Sequence, residues 1–210
     1  MTVDRLLDSG VIAVLRGIER EAIIDTVEAL HASGVTAIEI TADTTDASRV
    51  IADVAATFDD EIILGAGTVM DTATASRVIE AGAQFVVSPH FDPEIVAATN
   101  QRGAVSGPGI MTPTEAANAL AAGADLLKVF PASTVGPEHL EAVQGPLGDV
   151  PIMPTGGVGP DNVDAFFDAG AAVIGAGSAL IDYEAVEHGD YEALQAHAQE
   201  FVNAVDAARD

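Results

Sequence analysis

The chain has 210 residues and sets 33 acidic side chains against 8 basic ones, a formal net charge of −25 with a sequence pI near 4.1. Nucleic acid is excluded as a partner: no basic patch can neutralise a phosphate backbone, and 7 Phe and 2 Tyr with no Trp make no base-stacking platform. Disorder is excluded too, because 49% of the residues are apolar and mean hydropathy is +0.31, whereas disordered chains join charge to low hydropathy.

In chain order, short apolar runs rich in β-branched residues alternate with longer Ala- and Glu-rich stretches. The first run, Val11–Leu15, leads into Arg16. A stretch with helical spacing (Ala22, Ile23, Val27, Leu30) follows and closes at Gly34. The second run, Ala37–Thr41, holds Glu39 and Thr41. The third, Ile62–Ala66, leads to Thr68 and to a helical stretch with Ala75, Val78 and Ile79 that closes at Gly82. The fourth, Phe85–Ser88, leads to Pro89-His90, and the fifth, Ala104–Gly107, to Pro108-Gly109. The sixth, Leu126–Phe130, carries Lys128 within it. The seventh, Pro151–Pro154, runs into Thr155-Gly156-Gly157, and the eighth, Ala172–Gly175, into Gly177-Ser178. The last stretch, Asp190–Ala208, reads as an amphipathic helix with Tyr191, Leu194, His197, Phe201 and Val205 along one side.

Runs apolar on both faces describe strands of a buried parallel sheet. A Gly closes each helical stretch just before the next strand, at Gly34, Gly82, Gly103, Gly123 and Gly170, where a left-handed residue ends a helix at little cost. These glycines recur at about 20 residues or about twice that, the length of one βα unit. Eight such units predict a single-domain α/β (β/α)8 TIM barrel over residues 1–210. The alternative, an open doubly wound sheet, lacks its G-x-G-x-x-G fingerprint here. The absence of Cys excludes disulfides and thiolate chemistry. The segment Met1-Thr-Val-Asp-Arg5 has no signal-peptide pattern, and no uncharged apolar run approaches the ~18 residues of a membrane span. The expectation is a soluble cytoplasmic protein with no membrane partner.

In a βα barrel the chemistry lies at the C-terminal ends of the strands. Lys128 is the single lysine of the chain, in the middle of an apolar strand. The other seven basic residues are Arg, and acid excess with lysine avoidance predicts a halophilic protein, because about 1 M salt shortens the Debye length to about 3 Å and screens self-repulsion. Burial penalises an ammonium ion and favours the neutral amine, which is what Schiff-base formation with a carbonyl requires. A structural pair with Glu39, or a phosphate contact, are the other readings of Lys128. Glu39 needs a partner for a buried carboxylate and suits acid/base work, or merely completes that pair. Arg16 is placed to fork onto a carboxylate or phosphate, or to make a rim salt bridge. The turns Thr155-Gly156-Gly157 and Gly177-Ser178 could cradle an anion with backbone N–H groups and the N-termini of the following helices, or serve only as tight turns. Thr68 offers a hydroxyl at the mouth or a cap for the next helix. His90 lacks clustered ligands, so no metal site is expected, and His31, His139, His188 and His197 read as helix or surface residues.

The block Pro108-Gly-Ile-Met-Thr-Pro-Thr-Glu115, followed by Gly123-Ala-Asp-Leu-Leu-Lys-Val-Phe-Pro-Ala132, resembles the signature of the 2-keto-3-deoxy-6-phosphogluconate (KDPG) aldolase family. Ala37-Ile-Glu-Ile-Thr41, Leu64-Gly-Ala-Gly-Thr-Val69, Ser88-Pro89 and Pro154-Thr-Gly-Gly-Val158 fall in the same order and spacing. The resemblance implies a class I aldolase on a (β/α)8 barrel, a homotrimer with neither metal nor cofactor, acting on a phosphorylated 2-keto-3-deoxy sugar acid in Entner–Doudoroff metabolism. By position it implies Lys128 as the Schiff-base lysine and Glu39 as the acid/base. Thr68 and Thr155 would hold the pyruvyl part, Gly156, Gly157, Gly177 and Ser178 the phosphate, and Arg16 the carboxylate or polar chain. Many members continue the second-strand motif as Glu-x-Thr-Leu-Arg-Thr, whereas this chain has Glu39-Ile-Thr-Ala-Asp-Thr44. Asp43 thus stands where an Arg clamps the carboxylate, which opens the galactonate epimer as an alternative substrate and leaves that carboxylate to Arg16. An aldolase for 4-hydroxy-2-oxoglutarate and a non-catalytic sugar-phosphate-binding barrel are the remaining alternatives.

Overall fold

A computed structural model of the chain describes residues 3–209. Helix α1 (Val3–Asp8) precedes β1 (Val11–Leu15), α2 (Arg20–Ala32), β2 (Ala37–Thr41), α3 (Ala47–Phe58), β3 (Ile63–Gly67), α4 (Thr72–Glu80), β4 (Phe85–Val87) and α5 (Pro93–Asn100). Then come β5 (Val105–Gly107), β6 (Gly109–Ile110), α6 (Pro113–Ala121), β7 (Leu127–Val129), α7 (Ala132–Val135) and α8 (Pro137–Gln144). The chain closes with β8 (Ile152–Pro154), α9 (Val163–Asp168), β9 (Ile174–Ala176), α10 (Tyr183–His188) and α11 (Tyr191–Arg209). Among the described residues no helix is long and apolar enough to cross a membrane.

Every strand pair is parallel. Six strands form one sheet in the order β5-β4-β3-β2-β1-β9, and β6-β7-β8 form a second. The fold is α/β, with parallel strands curled into a half-barrel. Hydrogen bonds span both seams between the sheets. At one, Leu126 N–H donates to the Ser106 carbonyl (3.2 Å) and Lys128 N–H to that of Pro108 (2.9 Å). At the other, Ala172 N–H donates to the Ile152 carbonyl (2.9 Å) and Thr155 bridges to Gly175.

The expected fifth strand is found as β5, one residue shorter, and Pro108, which has no N–H to give a ladder, separates it from a further two-residue strand, β6, that was not expected. Gly109 is dictated by packing, since a Cβ there would overlap the backbone of Pro89. The first two strands have their expected bounds, and the others shift by one or two residues. The closing glycines all adopt positive φ, from 73° at Gly103 to 117° at Gly82, as the C-terminal device requires. Helix starts are equally local in origin. Asp71 accepts from Thr74 N–H at the head of α4, and Thr112 and Glu115 form a reciprocal capping box on α6 with Pro113 in its first turn.

Alternation along the strands builds two apolar layers. Residues such as Leu127, Val129, Ile38 and Ile40 face outward against the helices. Ile12, Ala37, Ile63, Phe85, Leu126 and Met153 face inward at the strand starts, where Leu6 of α1 plugs the end. Helix α1 was not anticipated, although Val3, Leu6 and Leu7 have the i, i+3, i+4 spacing that marks it.

Candidate active site

Two residues further along the same inward faces, apolar side chains give way to polar ones. Ala37 is followed by Glu39, Leu126 by Lys128 and Met153 by Thr155, because alternate residues of a strand share a face. The result is a cavity of about 680 Å³ at the C-terminal ends of the strands. Lys128, Glu39, Arg16, Thr68, Thr155, Gly156, Gly157, Gly177 and Ser178, the residues singled out from the sequence, all line it.

Lys128 and Glu39 lie on opposite sides of the curl, on β7 and β2, and meet inside it. The Lys128 Nζ stands 3.9 Å from Glu39 Oε1, with both side chains almost fully buried (6% and 1% exposed). Their separation is too long for a hydrogen bond, and neither Glu39 oxygen has another partner. The Nζ also sits 5.4 Å from the centre of the Phe130 ring. Thr155 Oγ1 is likewise buried without a partner. Buried polar atoms are nearly always satisfied, so three orphan oxygens converging beside an amine describe a place built for a polar ligand. Glu39 reaches it because β3 offers no side chain in the way: a Cβ on Gly67 would overlap the Glu39 carboxylate.

Arg16, half exposed, spans the mouth. Its Nη1 donates to Asp43, with which it forms an ion pair, and its Nη2 donates to Thr68 Oγ1 (2.8 Å). The Arg16 backbone N–H donates to the Tyr183 hydroxyl (3.4 Å). Thr68 adopts φ +54°, an uncommon conformation for a β-branched residue that costs about 1–3 kcal/mol.

On the far wall the backbone turns through left-handed Gly156 (φ 89°) and Gly157 (φ 81°). A Cβ at Gly157 would overlap Ser133, so glycine is required there. The helices expected to aim their N-termini at these turns start several residues further along the chain. Helix α9 begins at Val163 behind Asn162, α10 begins at Tyr183, and each is a six-residue helix set back from its turn.

Among the other residues lining the cavity, Phe130 and Tyr183 were passed over in sequence reasoning. Phe130 was legible, since it lies two positions beyond Lys128 and shares its face. Tyr183 was not, because only the folding of α10 back over β1 brings it to Arg16. Burial pushes the Tyr183 phenol up from its usual range, against the opposing pull of the Arg16 N–H, so it stays a neutral hydroxyl. Thr41 instead contacts Thr44, hydroxyl to hydroxyl at 3.2 Å. His90 does not line the cavity, although its neighbour Pro89 does. His139 bonds the Met111 carbonyl from α8, and among the described residues no cluster has the makings of a metal site.

Comparison with known proteins gives a consistent picture. The family model described as KDPG and KHG aldolase matches residues 3–197. A probable 2-dehydro-3-deoxy-6-phosphogalactonate aldolase of Rhizobium meliloti is 38% identical over 83% of this chain and 82% of its own. The 2-dehydro-3-deoxy-6-phosphogalactonate aldolase of Escherichia coli is 35% identical over 89% and 91%. Among solved structures, the KDPG aldolase of Legionella pneumophila, with pyruvate captured as a covalent carbinolamine, superposes with a TM-score of 0.86 at 29% identity, covering 92% of this chain and 94% of that one.

Proposed function

Because the chain belongs to the KDPG and KHG aldolase family, we propose that it cleaves a 6-phosphorylated 2-keto-3-deoxyhexonate through an imine on Lys128. The observation that carries this reading is the pairing of the chain's single lysine, buried, with a glutamate whose oxygens have no other partner. The carbinolamine in the Legionella relative supports the same chemistry.

The amine of Lys128 adds to the C2 ketone to give a carbinolamine, and loss of water gives a protonated imine that can accept an electron pair. Glu39 takes the proton from the C4 hydroxyl as the C3–C4 bond breaks. Glyceraldehyde 3-phosphate leaves, and the electron pair rests in a pyruvate enamine. Glu39 returns a proton to C3, and water releases pyruvate from Lys128. Thr155 and Thr68 hold the pyruvyl part and Arg16 its carboxylate. Gly156, Gly157, Gly177 and Ser178 bind the phosphate, and the energy gained there orients the reacting carbons.

The gluconate epimer is the substrate that the signature implies. A second reading, the galactonate epimer, is favoured by Asp43 in place of the common Arg and by the galactonate aldolases among the relatives. Steady-state turnover of the two epimers in molar salt separates them. We further infer that the bonds across both seams close the two sheets into one (β/α)8 barrel, a single domain over 1–210, and that the protein assembles as a homotrimer, to be checked by light scattering.

Borohydride reduction with pyruvate is the direct test of the imine. It is expected to add the mass of a reduced pyruvyl group to the peptide containing Lys128. An unmodified Lys128 peptide overturns the covalent mechanism.

A further inference from the structure

We propose that Asp43 is the positioning residue for Arg16, holding its guanidinium at the mouth of the cavity so that it meets the substrate's carboxylate in one orientation; the proposal rests on the aldolase reading above. Arg16 has a long flexible side chain, about half exposed, at the end of β1. Left free, it would sample many rotamers, and ordering it would cost binding energy. Two neighbours remove that freedom. Asp43, just beyond β2, accepts from Nη1, and Thr68, just beyond β3, accepts from Nη2.

The two neighbours lie differently. Arg16 and Thr68 line the cavity, whereas Asp43 does not. Asp43 therefore holds the guanidinium without lining the cavity itself, and neither it nor Thr68 uses up the remaining N–H donors. A guanidinium has five N–H donors, so a carboxylate on one and a hydroxyl on another still leave enough for a second carboxylate. Around Asp43 the loop is itself tied down. The Gly17 N–H donates to Thr44 Oγ1 (3.3 Å), and Thr44 Oγ1 contacts Thr41 Oγ1 (3.2 Å). The unusual backbone of Thr68 is likewise kept where its hydroxyl receives Arg16, as strain at a working site tends to be. The acidic residue that cannot itself bind a carboxylate thus acts on the one that can.

The test uses the full-length protein in molar salt, with Asp43→Ala, Asp43→Asn, Asp43→Glu, Arg16→Ala and the double variant Asp43→Ala/Arg16→Ala. Two quantities are read: the pyruvate concentration that half-saturates borohydride trapping on Lys128, and kcat and KM for the phosphorylated substrate. Circular dichroism checks that each variant is folded. Asp43→Ala is expected to raise both the pyruvate constant and KM about tenfold with kcat within about twofold, and Asp43→Glu to restore part of the loss. In the Arg16→Ala background, removing Asp43 is expected to change either constant by less than about twofold.

An unchanged KM in Asp43→Ala and Asp43→Asn overturns the proposal. So does an equal loss with and without Arg16, which is what a merely structural role produces. A lowered KM also overturns it, since Asp43 would then be competing with the substrate for Arg16. If the parent protein neither traps pyruvate nor cleaves substrate, the aldolase reading fails and takes this proposal with it. A parent that does both, with indifferent Asp43 variants, defeats this proposal alone.

Discussion

The two ends of the curled sheet are made by the same strands and treat their side chains in opposite ways. At the strand starts, Ile12, Ala37, Ile63, Phe85, Leu126 and Met153 pack with Leu6 into an apolar plug. One pleat further on, Glu39, Lys128 and Thr155 are just as deeply buried, yet Thr155 and both oxygens of Glu39 are left without hydrogen-bond partners. A close-packed end and an unsatisfied end two residues apart show how a small enzyme separates tasks. Burial at the first stabilises the fold, and the second can then hold polar groups whose burial costs stability.

The sharpest way to break this division is to replace Lys128. Lys128→Met keeps the aliphatic stem and the packing but removes the amine, and is expected to lower aldol cleavage by at least about 10⁴-fold with the circular dichroism spectrum unchanged. Retained turnover would show that the polar end is not the reaction centre. Gly67→Ala tests whether that end depends on space rather than on charge. The new methyl overlaps the Glu39 carboxylate and must displace it, so kcat is expected to fall about 10²-fold while substrate KM changes little.

At the other end the signs reverse. Phe85 is fully buried against Gly65, and Phe85→Ala is expected to cost about 3–5 kcal/mol of stability in denaturant titration, with activity per folded molecule preserved. A large loss of kcat in the folded fraction would mean that the two ends are not separable.

The smallest expected effect lies outside the cavity, at the start of α6. Backbone N–H of Met111, with the Thr112 hydroxyl and N–H, holds the Glu115 carboxyl below its usual range. A depressed folded value contributes stability above the unfolded value and loses it as pH falls through the folded one. Glu115→Gln should therefore lower the melting midpoint by the equivalent of about 1 kcal/mol at neutral pH and by less as pH drops below about 4. An equal deficit at both pH values would assign the cap's contribution to shape alone.

Much of this was legible in the chain. The strands carrying Arg16 and Glu39 have their expected bounds, because β-branched runs bounded by Gly or polar residues are a local signal. That these side chains share one cavity with Lys128 and Thr155 was equally legible, since parallel strands in series bring their C-terminal ends together. Contacts set by tertiary packing were not. The short β6 beyond Pro108 was not expected, and its Gly109 passes so close to Pro89 that a Cβ would overlap that backbone, while Tyr183 arrives from a helix that nothing local places there. Asp43 was noticed only as a missing cation. Its pairing with Arg16 joins the ends of two strands across 27 positions of sequence, which no periodicity reports.

The pairing of Arg16 with Asp43 also bears on how fast substrate arrives. The Arg16–Asp43 pair adds no net charge at the mouth, while the protein as a whole carries a formal charge of −25. The phosphorylated keto acid proposed as substrate would have to diffuse toward a like-charged body. Enzymes that steer anionic substrates with cations slow down as salt screens the attraction. Here salt screens a repulsion instead, so kcat/KM should climb with ionic strength, the inverse of the ordinary steering slope.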